Sequence, residues 1–335
     1  MMLQLLSKIK KSLFENPALI IVVCISFILW ALFYPAYMSA DSLVQYEQAL
    51  SGVYEDWHPP VMAILVHYIL LLGGSIATVT FMQTIFGCLG VYFLAKEILR
   101  QRNVNEKKQT WVPLYILIIL LLPVSPFPFY LMHFLKDTWI AIGFIWITYL
   151  GLRTTIINQK NTKQYIVNYT ALVLLISLVF ITRYNAIVLV PVFFLLLFYN
   201  SKRLADAKQS VIPVILWSVL PFFVYIAVQK QLNIAFQIKK LHPENQVMAL
   251  ESVGALLQDK NNSSYVPYIS ANLTPNYEYA YFPGNVASVM NWEGSEKTLN
   301  QLTFSIADER IKKEYINLAW HAPGSLVKVK SEGFF

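Results

Sequence analysis

Long apolar stretches dominate this chain and decide what it can fold into. They centre on 18–37, 76–95, 109–127, 138–153, 165–182, 184–200 and 211–229. Roughly 17 or more such residues in a helix are enough to cross the hydrocarbon of a bilayer. Composition points the same way. Of 335 residues 56% are hydrophobic and 13% charged, whereas a soluble domain carries about 25% charged residues. The sequence therefore predicts an all-α polytopic membrane protein with about seven transmembrane helices.

The net charge of +7 is a matter of topology rather than of nucleic acid. Basic residues are scattered between apolar segments, with no aromatic-interleaved basic patch, so nucleic-acid binding is rejected. The segments 1–17, 96–110, 153–164 and 201–210 hold 14 basic and four acidic residues; the rest of the chain holds 12 basic and 15 acidic. All four basic segments fall on one side if the run "PPVMAILVHYILLLGG" (59–74) lies in the interface rather than crossing. The positive-inside rule then places the N-terminus in the cytoplasm and residues 37–75 outside a plasma membrane. Lys8, Lys10 and Lys11 precede the first apolar run, which lacks a small-residue cleavage site and reads as an uncleaved anchor. Cys24 and Cys88 lie in apolar runs and form no metal or redox spacing.

The domain plan is a transmembrane module over 1–229 and an extracytoplasmic domain over 230–335. In the first external loop, Leu43, Tyr46, Leu50, Val53, Tyr54 and Trp57 recur at steps of mostly three and four, with Ser42, Gln45, Gln48 and Glu55 between them. That periodicity predicts an amphipathic helix lying on the membrane surface. A second juxtamembrane helix follows the Pro59-Pro60 break, which puts His58 at the joint. Beyond 230 the chain is more polar; helices are expected around 245–258 and 300–320, with 259–298 irregular.

Ionisable groups at membrane boundaries are costly and usually have a partner or a purpose. Three clusters meet the outer face in this topology. The first is Asp41 with Glu55, Asp56 and His58; the second is Lys136 and Asp137, after His133, in "HFLKDTW"; the third is Arg183 and Asn185 in "ITRYNA". Convergent carboxylate, imidazole and cationic groups suit an anionic, phosphate-bearing substrate. Each residue also has a plain structural alternative. Asp41 is well placed as a helix N-terminal carboxylate behind a Ser39 cap. Lys136 and Arg183 are able to snorkel at the boundary, and His58 to hold a turn through a carbonyl.

A first external loop with an early Asp, followed by juxtamembrane helices before the second span, resembles the GT-C superfamily of polytopic glycosyltransferases. "ADSLVQYEQALSGVYEDWHPP" with "LKDTW" and "TRYNA" is closer still to a group of uncharacterised bacterial GT-C-like proteins. The resemblance covers about 1–230 and implies a seven-span module that uses a polyprenyl-phosphate-linked sugar donor and inverts at the transferred carbon. Asp41 matches the first-loop acidic residue of the superfamily and Asp137 the second-loop one. Asp41 would then be the general base, and Lys136, Arg183 and His58 would bind the donor phosphate, supported by Asp137, Asn185, Glu55 and Asp56. The acceptor would be a cell-envelope polymer, lipid or protein. No DxD or WWD-type motif is present; a divalent ion, Mg or Mn, falls to Asp41 and Asp137 if the reaction uses one. Many such proteins carry further spans after the module, so the end at "SEGFF" is expected to be a truncation. Two other readings stay open: a transporter or flippase of lipid-linked intermediates, and a catalytically inactive GT-C scaffold.

Overall fold

The structure, a computed structural model, describes residues 17–156, 162–202, 211–275, 277–281, 298–300 and 303–332. Among these the regular elements are all helical, and β-pairing is confined to isolated bridges. Ile76–Gln101 and Gln164–Thr182 are long and apolar enough to cross a membrane, judged by length and composition. Pro17–Leu32, Val61–Leu71 and Val190–Tyr199 are apolar but shorter. The chain divides into two compact units: one runs to Tyr54 and from His58 to Ile238, the other takes in Glu55–Trp57 and the chain from Lys239.

The first unit is organised around two apolar clusters. Helices α1 (Pro17–Leu32), α2 (Ala40–Ser51) and α3 (Val61–Leu71) lead to α4 (Ile76–Gln101), whose start is fixed by a reciprocal Ser75–Thr78 capping box. Then come α5 (Glu106–Leu120), the short α6 (Phe127–Met132), α7 (Lys136–Ile156) and α8 (Thr162–Thr182). A 3-10 turn (Tyr184–Leu189) passes the chain to α9 (Val190–Lys202) and α10 (Val211–Ala235). One apolar cluster joins α1, α4, α5, α6 and α7 around Val22, Cys88, Tyr92, Leu117 and Ile142; another joins α7, α8, α9 and α10 around Ile147, Leu172, Ile176, Phe193 and Tyr225. The helix α7 is the wall shared by both.

Small residues let α7 approach so closely. A Cβ on Gly90 would come within 3.0 Å of both Ile145 and Trp146 of α7, and one on Gly87 would collide with Leu131 of α6. On the other side, a Cβ on Gly143 would lie 2.8 Å from Val179 of α8. Close packing of this kind excludes even a methyl group.

Polar side chains on α4 then fasten two loops over the helix ends. Thr80 donates to the Pro35 carbonyl at 2.8 Å; the Gln83 amide donates to the carbonyls of Leu131 (2.7 Å) and His133 (2.8 Å). Tyr37 pairs with the 132–134 strand-like segment through Tyr37 N–H to Met132 O (3.0 Å) and Phe134 N–H to Tyr37 O (2.9 Å). Thr80 and Gln83 are buried, so these bonds satisfy loop carbonyls that would otherwise lose water without replacement.

The first loop forms the two predicted helices, and α2 turns its polar face toward the protein and its apolar face outward, the orientation that a surface-lying amphipathic helix requires. Ser42, Gln45 and Gln48 are buried with Ala49, while Leu43, Val44 and Leu50 are exposed, as is Val53 just beyond the helix. Ser39 caps α2 by accepting from Ser42 N–H, and Gly52 ends it at φ +69°. The following α3 has 11 residues, which rise roughly 16 Å, about half of a ~30 Å hydrocarbon layer.

In the second unit, α11 (Pro243–Gln258) packs against α14 (Arg310–His321) and α15 (Pro323–Glu332) around Val253, Leu256, Ile311 and Leu318. The stretch expected to be irregular carries a 3-10 turn (Lys260–Ser264), α12 (Pro267–Ala271) and α13 (Tyr277–Ala280); residues 282–297 lie outside the described residues. Glu314 accepts from the backbone N–H groups of Tyr268 (2.7 Å) and Ile269 (3.1 Å), so a half-buried carboxylate serves donors at the start of α12.

Candidate functional site

The site begins with three short local decisions. Ser39 caps α2 and thereby places Asp41 in the first turn, where a carboxylate is favoured by the helix dipole. Pro59 and Pro60 start α3 and hold His58 in the turn just before it. The Tyr37–Phe134 pairing and the bond from Ser42 Oγ to the Phe134 carbonyl bring the start of α7 against α2, so that Lys136 opens beside Asp41. Asp41 and His58 belong to the first loop, and Lys136 to a segment far along the sequence.

They form a triangle. Lys136 Nζ lies 3.5 Å from Asp41 Oδ2 and 3.2 Å from His58 Nδ1, and His58 Nε2 lies 3.4 Å from the same Asp41 Oδ2. An ammonium has only donors, so Lys136 donates to Nδ1 and the imidazole proton sits on Nε2, facing Asp41. Burial holds the His58 pKa below its usual value, and the neighbouring Lys136 charge pushes it the same way; Asp41 and Asp137 pull against them. His58 is therefore a neutral imidazole bridging an acid and a base. The Lys136 side chain is 9% exposed and that of Asp41 50%, so the cation is fixed from beneath while the carboxylate reaches the surface.

One residue further along α7, Asp137 pairs with Arg183, which follows the end of α8. That ion pair is part-exposed on both partners. Its position joins the second and third sequence clusters. Asn185 lies in the 3-10 turn, and its side chain falls outside the described residues. Glu55 and Asp56 belong to the second unit, where the Glu55 backbone forms an isolated β-bridge with Lys239 and the Asp56 carboxylate accepts from Leu241 N–H at 2.5 Å. The Asp56 carboxylate is thus spent on backbone within that unit, a role that the sequence grouping with Asp41 did not separate.

Among the described residues no cluster of three or more His, Cys, Asp or Glu side chains is placed to hold a metal. Asp41 and Asp137 are each already matched by a cation, Lys136 and Arg183. A divalent ion seeks several unengaged oxygen ligands, so this pair does not fit one.

Below the charged residues lies an apolar cavity of about 290 Å³. Its wall uses the same three elements: Val61 and Met62 just after His58, Trp139 one turn into α7 from Lys136, and Thr182 next to Arg183. Ionic heads and apolar cavity thus share a scaffold. An amphiphile with an anionic head matches that arrangement.

Three site-building signals escaped the sequence reading. Gln83 and Thr80 organise the loops from within an apolar run, and Ser42 fastens α2 to Phe134. The available signal was polarity where hydropathy demands none. No family model matches the chain, and no curated protein or solved structure is similar to it at a significant level.

Proposed function

We propose that this chain is an inverting membrane glycosyltransferase, which moves a sugar from a polyprenyl-phosphate-type donor to a cell-envelope acceptor at the external membrane face. The observation that carries it is the Asp41–His58–Lys136 triangle, whose His58 and Lys136 adjoin the helices that wall an apolar cavity. In this reading about seven helices cross the plasma membrane, the N-terminus is cytoplasmic and the first loop is outside.

The chemistry assigns each group one task. Both contacts to Asp41 fall on Oδ2, and Oδ1 takes the proton of the acceptor hydroxyl. The acceptor oxygen forms its bond to the anomeric carbon as the bond from that carbon to the phosphate oxygen breaks. The departing electron pair goes to the phosphate, whose charge is met by Lys136 and by Arg183 drawn from its partner Asp137. One carboxylate and one displacement give inversion. His58 keeps Asp41 and Lys136 in fixed relation, and the apolar cavity takes the first isoprene units of the donor.

The test is Asp41→Asn in the full-length protein supplied with a polyprenyl-phosphate sugar and membrane acceptor. Transfer is expected to fall about 10²–10⁴-fold, the usual worth of a positioned general base, with unchanged membrane insertion. Transfer at the wild-type rate removes Asp41 as the base and with it this assignment. Unchanged translocation of the donor without transfer in either protein points instead to lipid transport.

A further inference from the structure

One face of α14 turns apolar and basic side chains outward together. Its inner face is spent on the core of the second unit, where Ile311 and Leu318 are fully buried. On the outer face Lys312, Ile316 and Trp320 stand at steps of four and so form one row, with Lys313 and Ala319 beside it. All five are exposed, Ile316 to 57% and Trp320 to 83%. A single exposed apolar residue needs no account, but tryptophan is on average well buried, and here it ends a row that begins with lysine. The next helix, α15, repeats the pairing: Val327 is exposed and so is Lys328 after it.

Charge narrows the occupant. From Arg310 to Ser331 the chain holds five lysine or arginine residues and one acidic residue. Glu314, the acidic one, accepts from the Tyr268 and Ile269 N–H groups; Arg310 pairs with Asp308 and Lys330 with Glu251. Lys312, Lys313 and Lys328 have no carboxylate partner among the described residues. Glu309 stands at the head of the row, and the face stays net positive. A bilayer surface with anionic lipid meets both halves of this pattern: headgroup phosphates suit the lysines, and the interfacial layer suits an indole. A chain that crosses a bilayer also holds such a surface at high local concentration, and two helices of the first unit are long and apolar enough to cross.

We infer that the outer face of α14 docks the second unit on a bilayer surface that carries anionic lipid. Trp320 and Ile316 enter the interfacial layer, and Lys312 and Lys313 meet headgroup phosphates. The inference is independent of the glycosyltransferase reading and rests only on the chain being held in a membrane.

For the test, the full chain, with Cys24 and Cys88 replaced and a nitroxide on Ala319→Cys, is placed in nanodiscs of phosphatidylcholine alone or with phosphatidylglycerol. Collision with dissolved oxygen against a water-soluble nickel chelate reads the depth of the label. Phosphatidylglycerol is expected to move the label from water toward lipid, and high salt to weaken the shift. Lys312→Glu with Lys313→Glu is expected to lower the docked-to-free ratio by roughly fivefold for each lysine lost, and Trp320→Ser to return the label to water. Equal depth in the two lipid compositions overturns the docking face. So does a shift that survives either substitution, since the named side chains then do not hold the face. Dipolar coupling between labels on two chains makes a second copy of this chain the occupant and overturns it as well. The lipid comparison keeps Lys312, Lys313, Ile316 and Trp320 unaltered, so it stands whatever the variants do to melting. Asp41→Asn is expected to leave the label depth unchanged, which keeps this test apart from that of transfer.

Discussion

His58 carries the most information of any single residue, because its protonation state decides whether the triangle exists. As a neutral ring it accepts from Lys136 and faces Asp41 with its N–H. A second proton would remove the acceptor at Nδ1 and set imidazolium against ammonium. Burial and Lys136 hold its folded-state pKa below the unfolded value near 6.5. The unfolded chain then binds the proton more readily, so stability contributed by this residue is full above about pH 6.5 and declines as pH falls toward the folded value. Activity should follow the same acid limb. Transfer measured from pH 8 to pH 5 is expected to drop below pH 6.5, and His58→Gln is expected to flatten that limb at a reduced plateau. An acid limb left intact in His58→Gln assigns the titration to another group.

At the scale of helices, the sequence pattern was legible in period and ambiguous in direction. The steps from Leu43 to Trp57 identify a helix with two unlike faces, but burial depends on what surrounds it. In water the apolar face turns inward; beside lipid that preference weakens, and the polar face is free to seek protein. The structure places Gln45 and Gln48 inward and leaves Leu50 59% and Val53 68% exposed. Leu50→Trp tests the reason. In bilayers containing brominated acyl chains its fluorescence should be strongly quenched, whereas emission typical of a hydrated indole would place that face in water. Close helix approach was less visible still. Gly90 is one glycine among 12, and nothing in its neighbours announces that Ile145 and Trp146 sit 3.0 Å from the position of a Cβ. Gly90→Val is expected to cost about 1–3 kcal/mol by overpacking, read as a lower melting temperature in detergent micelles. Gly324, which has nothing within 4 Å of that position, provides the control.

Across the whole molecule, charge and hydropathy say more about topology than about chemistry. The ion pairs of the candidate site join residues 41, 58, 136, 137 and 183, and grouping them required one assumption, that their loops lie on the same side. Glu55 and Asp56 met that assumption equally well, yet the Asp56 carboxylate accepts from Leu241 N–H within the second unit; sequence depth alone cannot separate a site carboxylate from a structural one. The assumption itself is measurable. With Cys24 and Cys88 replaced by serine or alanine, single cysteines at Ser51, Lys107 and Val188 report the two faces of the proposed topology. Ser51 and Val188 are exposed positions near the α2 and Arg183 loops, and Lys107 begins α5 within a basic segment. A membrane-impermeant maleimide applied to whole cells should label Ser51→Cys and Val188→Cys and reach Lys107→Cys after permeabilisation, because lysine- and arginine-rich loops are retained in the cytoplasm. Labelling of residues 51 and 107 from the same side would mean either that 59–74 crosses together with the 26-residue α4 or that neither does. Labelling of 51 and 188 from opposite sides would contradict the Asp137–Arg183 pair, since α7 begins at Lys136 beside Asp41. The geometry thus binds the topology: one ion pair and one triangle commit three loops to a single face.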